Sequence, residues 1–170
     1  MPVPQYPFEP KSNAYLVPGQ FWGVPLSDGR WACGRVLAIK KEPDRYFAGN
    51  SRTFLASLMD WEDGEPPTAE RIIGRQVVAQ GWAHVLLIQK NGRLILGHRE
   101  LALDGIRGLR EVTHRVGGIV MLYEGPTPLR PATPEEASTL PVVSTWGFKV
   151  ISRLAERLFV ERLPLPSDER

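Results

Sequence analysis

A single cysteine, Cys33, stands among the 170 residues, so no internal disulfide can form and neither a disulfide scaffold nor a zinc ribbon is open to the chain. An excess of one charge is missing too. Twenty-one Lys and Arg against 19 Asp and Glu leave a net +2, too little to predict nucleic acid or an anionic membrane as partner. The longest apolar runs, Val85 to Ile88 and Ile119 to Tyr123, fall far short of the roughly 20 residues of a membrane-spanning helix. Met1 to Pro18 lacks the basic and apolar regions of a secretory signal, so a cytoplasmic location is expected. The glycines compose no G-x-G-x-x-G, no G-x-x-x-x-G-K-[ST] and no G-x-S-x-G, which removes the usual cradles for dinucleotides and phosphates and the hydrolase nucleophile elbow. No cofactor is predicted.

What is present suits one domain. With 42% hydrophobic and 24% charged residues, a chain of this length buries about 70% of its unfolded surface. Five prolines between Met1 and Pro18 predict an extended arm over residues 1–18, packed through Tyr6, Phe8 and Tyr15. A β-rich body is expected over 19–124, a proline-rich connection over 125–134 and a helical tail over 135–163.

Within the body the periodicity is mostly two. Gln20 to Leu26 and Arg30 to Ile39 flank Ser27-Asp28-Gly29, a three-residue hairpin loop with glycine where a left-handed backbone is needed. The second strand has small or apolar residues on both faces, so both are expected to be covered. Asn91-Gly92 between apolar runs predicts a type I′ turn that would pair Ile88 with Ile95, Leu87 with Leu96, Val85 with His98 and His84 with Arg99. Phe54 to Trp61 fits strand or helix, with strand preferred, and Gly117 to Tyr123 is a further strand. Thr68 to Gly74 reads as a short helix. In the tail, Val150, Ile151, Leu154, Ala155 and Leu158 recur at helical spacing from a start near Ser144 or Thr145. The opposite face carries Lys149, Arg153 and Arg157, read as a solvated stripe because acids are interleaved. Thr133-Pro134-Glu135-Glu136 has the composition of another helix start. The predicted class is α+β: a strongly bent antiparallel sheet or partial barrel built from hairpins, with a C-terminal amphipathic helix packed on it.

The residues that chemistry requires are scattered. Cys33 lies mid-strand among apolar neighbours and reads as a small hydrophobe rather than a thiolate. His84, His98 and His114 are too far apart for metal-ligand spacing. No catalytic, metal or cofactor residue is therefore predicted, and the protein is not expected to be an enzyme. Two surfaces remain. Asp60 to Glu70 holds five acids and no base, and Asp60, Glu62, Asp63 and Glu65 around Trp61 compose an aromatic anchor with an acidic rim, suited to a basic protein partner. The competing reading is an acidic loop with Trp61 in the core. Trp22, Trp31 and Arg35 at the mouth of the first hairpin form a possible ligand pocket. There, a charge on an apolar strand face demands a partner, either an internal carboxylate or an anionic ligand.

The stretch Gly19-Gln20-Phe21-Trp22-Gly23-Val24-Pro25-Leu26, then Asp28-Gly29, then Gly34-Arg35-Val36-Leu37 resembles the opening of the immunity protein 26 family of bacterial polymorphic toxin systems. Looser similarity extends through Trp82 to Asn91-Gly92, and the arm and tail lie outside it. The resemblance implies a non-catalytic protein that binds and neutralises a cognate toxin domain, with no catalytic residues to carry over. If that toxin is a nuclease, carboxylates would stand in for phosphates at its basic cleft. The alternatives are a small-molecule or anionic-ligand-binding β domain, a small enzyme, or an adaptor docking through the proline-rich arm.

Overall fold

The computed structural model describes residues 4–40, 50–115 and 117–166; of the expected arm, residues 1–3 lie outside this range. The fold is α+β. Strands β1 (Gln20–Pro25) and β2 (Trp31–Ile39) form the expected hairpin. Leu26 N donates to Arg30 O at 2.9 Å across the three-residue loop, and Gly29 takes a left-handed backbone, φ 88°. The ambiguous Phe54 to Trp61 run lies inside the 11-residue strand β3 (Thr53–Asp63), which pairs with β2 and with β4 (Val77–His84). With β5 (Ile95–His98) and β9 (Thr145–Trp146), a mixed six-stranded sheet forms in the order β5-β1-β2-β3-β4-β9. Register shifts within β2–β3 and β3–β4 mark bulges, which bend a sheet; the sheet does not close into a barrel.

Both faces of this sheet are buried, as the composition of β2 predicts. One face carries Trp22, Val24, Val36, Phe54 and Leu58 beneath the terminal helix. The other carries Phe21, Cys33, Leu55, Met59 and Trp61 beneath Ile72 and Ile106. A second, three-stranded sheet, β6 (Arg110–Val112), β7 (Met121–Glu124) and β8 (Thr127–Pro131), follows. The strand expected over Gly117 to Tyr123 thus begins at Met121. The proline-rich connection contains β8, every residue of it exposed. Pro128 and Pro131 suit an edge strand, where a missing amide donor costs nothing and discourages further pairing.

The Asn91-Gly92 hairpin does not form, and its four predicted cross-strand pairs are absent. Val85 to Lys90 instead coils into helical turns, with α1 at Leu86–Gln89: Gln89 N donates to Val85 O at 3.2 Å and Lys90 N to Leu86 O at 2.9 Å. The apolar run that reads as a strand buries Val85, Leu87 and Ile88 in this shape too. Asn91 is buried, and its amide donates to Leu87 O at 2.7 Å and Phe148 O at 2.6 Å. Gly92, φ 86°, ends the helix and packs against the Gly23 carbonyl where no Cβ fits. Released from that hairpin, β5 pairs with β1, Ile95 opposite Trp22 and His98 opposite Gln20.

The arm continues this edge. Phe8 N and Ile95 O are 3.1 Å apart and Ile95 N and Phe8 O 2.8 Å, and Tyr6 and Phe8 pack on the core. Tyr15, expected to pack, is exposed at the end of a 3-10 turn, Asn13–Tyr15, that interrupts the extended chain. Thr68 to Gly74 forms hydrogen-bonded turns rather than a regular helix; Thr68 Oγ1 accepts from Arg71 N at 3.3 Å.

The tail is not one helix. The start at Thr133 is present: α2 (Pro134–Thr139) carries a full capping box between Thr133 and Glu136. The later helix begins at Val150, as α3 (Val150–Ala155) running on into a π-helical turn, Glu156–Val160. Ser144 to Trp146, expected as its first turn, instead completes the sheet: Trp82 N donates to Ser144 O at 2.9 Å and β9 runs parallel to β4. The reason lies on β4, where the Trp146 indole fills the space above Gly81 that a Cβ would occupy.

Gly81→Ala should therefore push the indole off β4 and cost about 1–3 kcal/mol. Thermal unfolding checks this, and a melting midpoint equal to that of the wild type would show that Trp146 does not depend on the missing side chain.

Candidate functional site

Across the second face of the six-stranded sheet, Phe21, Arg35, Ser57 and Gln80 stand opposite one another on β1 to β4. Three of these four are polar and all four are buried, so each polar group needs a partner above the sheet. Arg35 finds two. Its Nη1 donates to Asp104 Oδ2 at 3.2 Å and its Nη2 to the carbonyl of Arg99. Asp104, at the end of the 3-10 turn Leu101–Asp104, accepts further bonds from Arg99 Nε at 2.8 Å, Arg99 Nη2 at 2.8 Å and Gly74 N at 2.9 Å. Its carbonyl accepts from Gln76 Nε2 at 3.0 Å. The hydrogen bonds from Arg99, then those from Gly74 and Arg35, hold the Asp104 carboxyl down at about 2 against the pull of burial. Ser57 Oγ donates to the Arg35 carbonyl at 3.0 Å.

Gln80 bridges upward in the same way. Its Oε1 accepts from Leu109 N at 2.6 Å and its Nε2 donates to Glu111 Oε1 at 2.5 Å. Glu111 is buried on β6, and burial pushes its carboxyl up to about 8, so it is protonated at neutral pH. Its Oε2 and the Nε of Arg35 are buried polar atoms without a hydrogen-bond partner among the described residues. The two bridges, Arg35 to Asp104 and Gln80 to Glu111, tie the sheet to the chain from Arg99 to Glu111.

The sequence-predicted site residues separate on this frame. Arg35 has its internal carboxylate. Trp22, Trp31 and Arg35 do not line one pocket: Trp22 is fully buried in the core on the opposite face, and Trp31 packs beside Cys33 and Leu37 on the Arg35 face. The acidic stretch is divided as well. Trp61 is 5% exposed and belongs to the core, so it is not a projecting anchor. Glu62 is paired with Arg30 and with Arg162 at 2.8 Å, and Asp63 with Arg71 at 3.5 Å. Asp60 and Glu65 are exposed and hold no ion pair among the described residues. Asp60, Trp61 and Glu62 do share an open groove of about 320 Å³, lined also by Leu158 and Phe159 of the terminal helical segment and by Arg75 and Arg162. Asp63 and Glu65 lie outside it.

Cys33 is buried and its thiol is pushed up to about 12 by desolvation, which removes it as a nucleophile at neutral pH. His84 Nδ1 accepts from Leu86 N at 3.0 Å, and burial lowers the pKa of its ring. His98 Nε2 lies 3.0 Å from the Pro18 carbonyl. Among the described residues no three His, Cys, Asp or Glu side chains cluster as metal ligands, and no helix is long and apolar enough to cross a membrane. No family model, no curated protein and no solved structure matches this chain.

Sequence reasoning missed Asp104, Gln80 and Glu111. The signal for Asp104 was Arg35 itself, since a buried cation requires a counter-charge; Gln80 and Glu111 lie in segments with no pattern that singles them out.

A protonated Glu111 makes the folded state retain a proton that the unfolded chain releases above its ordinary value of 4.5. Stability should therefore fall as pH rises from about 4.5 to about 8, by at most roughly 1.4 kcal/mol per pH unit. Glu111→Gln, which keeps an oxygen for Gln80, should flatten that slope and leave the variant more stable than wild type at pH 8. Urea unfolding across this range is the check, and an unchanged slope would place the ionised form in the folded protein.

Proposed function

We propose that this chain is a non-catalytic binding protein of the immunity type, which neutralises a cognate toxin domain by occupying it. The reading is supported by the likeness of the first hairpin to the immunity protein 26 family. The observation that carries it is the groove in which Asp60 and Glu62 face Leu158 and Phe159. Apolar floor and charged rim meet there, the arrangement in which burial supplies affinity while charge sets encounter rate and register.

The partner the groove fits is a protein segment with an apolar side chain flanked by a basic one. Trp61 supplies part of the floor from within the core, so the groove needs no rearrangement of β3 to form. Asp60 reaches the basic group, because Glu62 is already engaged by Arg30 and Arg162. Arg75 and Arg162 on the same rim reject a uniformly basic surface, which makes the groove selective rather than a general acidic patch.

Asp60→Lys reverses the rim charge at an exposed position and should leave the fold intact. Co-expression with toxin domains encoded beside this gene is the test: the wild type should protect, and Asp60→Lys should bind about tenfold or more weakly, the equivalent of about 1.4 kcal/mol. Absence of protection and binding by the wild type, or indifference to Asp60→Lys, would contradict the proposal.

A further inference from the structure

We infer that Asn91 is a site of spontaneous covalent modification: its side-chain amide is lost to attack by the Gly92 backbone nitrogen, and the reaction unties the terminal helical segment. The chain contains three asparagines, Asn13, Asn50 and Asn91, and only Asn91 precedes a glycine. Ring closure brings the backbone nitrogen of the following residue onto the asparagine Cγ, and glycine places no Cβ in its way.

The structure requires this labile dipeptide. At residue 92, φ is 86° and a Cβ would run into the Gly23 carbonyl, so only glycine fits. At residue 91, the buried amide donates to Leu87 O at 2.7 Å and to Phe148 O at 2.6 Å. Both Nδ2 protons are thus committed to carbonyls, a task that an aspartate, which only accepts, cannot perform.

The same contacts hold the reaction back. While Nδ2 is fixed between two acceptors it cannot depart, and Cγ cannot rotate onto the backbone. The nucleophile is uncommitted, since among the described residues the Gly92 N–H donates no hydrogen bond. Lys90 and Arg93 on either side are exposed, so water reaches the junction as soon as the contact with Phe148 opens. Local openings of this kind require less free energy than global unfolding.

Water is the sole co-reactant. The Gly92 nitrogen bonds to Asn91 Cγ, its proton passes through solvent to Nδ2, and the Cγ–Nδ2 bond breaks to release ammonia and leave a cyclic imide. Water then opens the imide at one of its carbonyls. Cleavage of the new Cγ–N bond gives aspartate, and cleavage of the original peptide bond gives isoaspartate, with the main chain rerouted through the side-chain carbonyl.

Either product reverses the contact. A carboxylate sets acceptors against the carbonyls of Leu87 and Phe148 and buries a charge, and isoaspartate also lengthens the main chain beside Gly23. Phe148 leads into α3, whose Ile151, Leu154 and Ala155 lie in the core. The modification therefore loosens the segment that carries Leu158 and Phe159, which line the groove beside Asp60. This consequence does not depend on what occupies the groove.

Full-length wild type, folded in mildly alkaline buffer or unfolded in urea, is followed over time by peptide-mapping mass spectrometry. In urea, Asn91 should be the first of the three asparagines to gain the mass of amide-to-acid conversion. In the folded chain it should convert about tenfold or more slowly, because the native contact must open first. Asn13, buried and likewise donating to two carbonyls, Asn50 O and Thr53 O, but followed by alanine, should stay intact there. Hydrogen exchange on the modified fraction should show lost protection of the α3 amides, and Asn91→Asp, which reproduces one product, should show the same loss with a lower melting midpoint. Three results would overturn the inference: equal rates in the two samples, no Asn91 product in the folded chain after the unfolded chain has had time to convert many times over, or full α3 protection in the modified chain.

Discussion

The guanidinium of Arg35 lies in the middle of the six-stranded sheet with no exposed surface, and the arrangement of the chain after β4 is the answer to that charge. A buried cation is tolerated only when a counter-charge and hydrogen bonds replace the water it has lost. Asp104 and the Arg99 carbonyl do so, and they can reach Arg35 only because the 3-10 turn after β5 lies over β2. The same carboxylate gathers Arg99 and Gly74, and its backbone oxygen gathers Gln76. One residue therefore joins the sheet, the turn region ahead of β4 and the segment after β5.

Gln80 repeats the device one strand pair further along, with a protonated Glu111 where Arg35 has an ionised Asp104. These two bridges position β6 and, through it, the small second sheet. Cys33 is sealed in the same apolar layer. Polar groups that might otherwise carry chemistry are committed to holding this layer together, which directs attention to the exterior. There, the groove beside Asp60 is walled in part by Leu158 and Phe159 of the terminal helical segment.

How much of this the sequence reveals depends on whether the deciding contact is local. Ser27-Asp28-Gly29 specifies its hairpin, and Thr133 with Glu136 specifies its helix start, because every atom involved lies within a few residues. Asn91-Gly92 misleads for the complementary reason: the dipeptide suits a tight turn, but the apolar run before it coils, and the carbonyls of Leu87 and Phe148 claim the Asn91 side chain. Trp146 reads as helix because the vacancy at Gly81 that draws it into the sheet is remote along the chain. Arg35 was legible as a demand and illegible as a pairing, since periodicity says that a charge is buried without saying which carboxylate comes to meet it. Trp61 shows the same gap: the acids around it are visible in the sequence, and its burial is decided by strands on either side.

The most direct measurement is the coupling between Arg35 and Asp104. Asp104→Leu should cost about 3–5 kcal/mol, because it leaves the Arg35 guanidinium buried without its counter-charge, and Arg35→Met should cost less, because Arg99 still pairs with Asp104. The double variant, with both charges gone, should recover most of that loss in chemical unfolding, giving a strongly non-additive cycle. Simple addition of the two losses would contradict the account, since it would mean that Arg35 and Asp104 do not depend on one another.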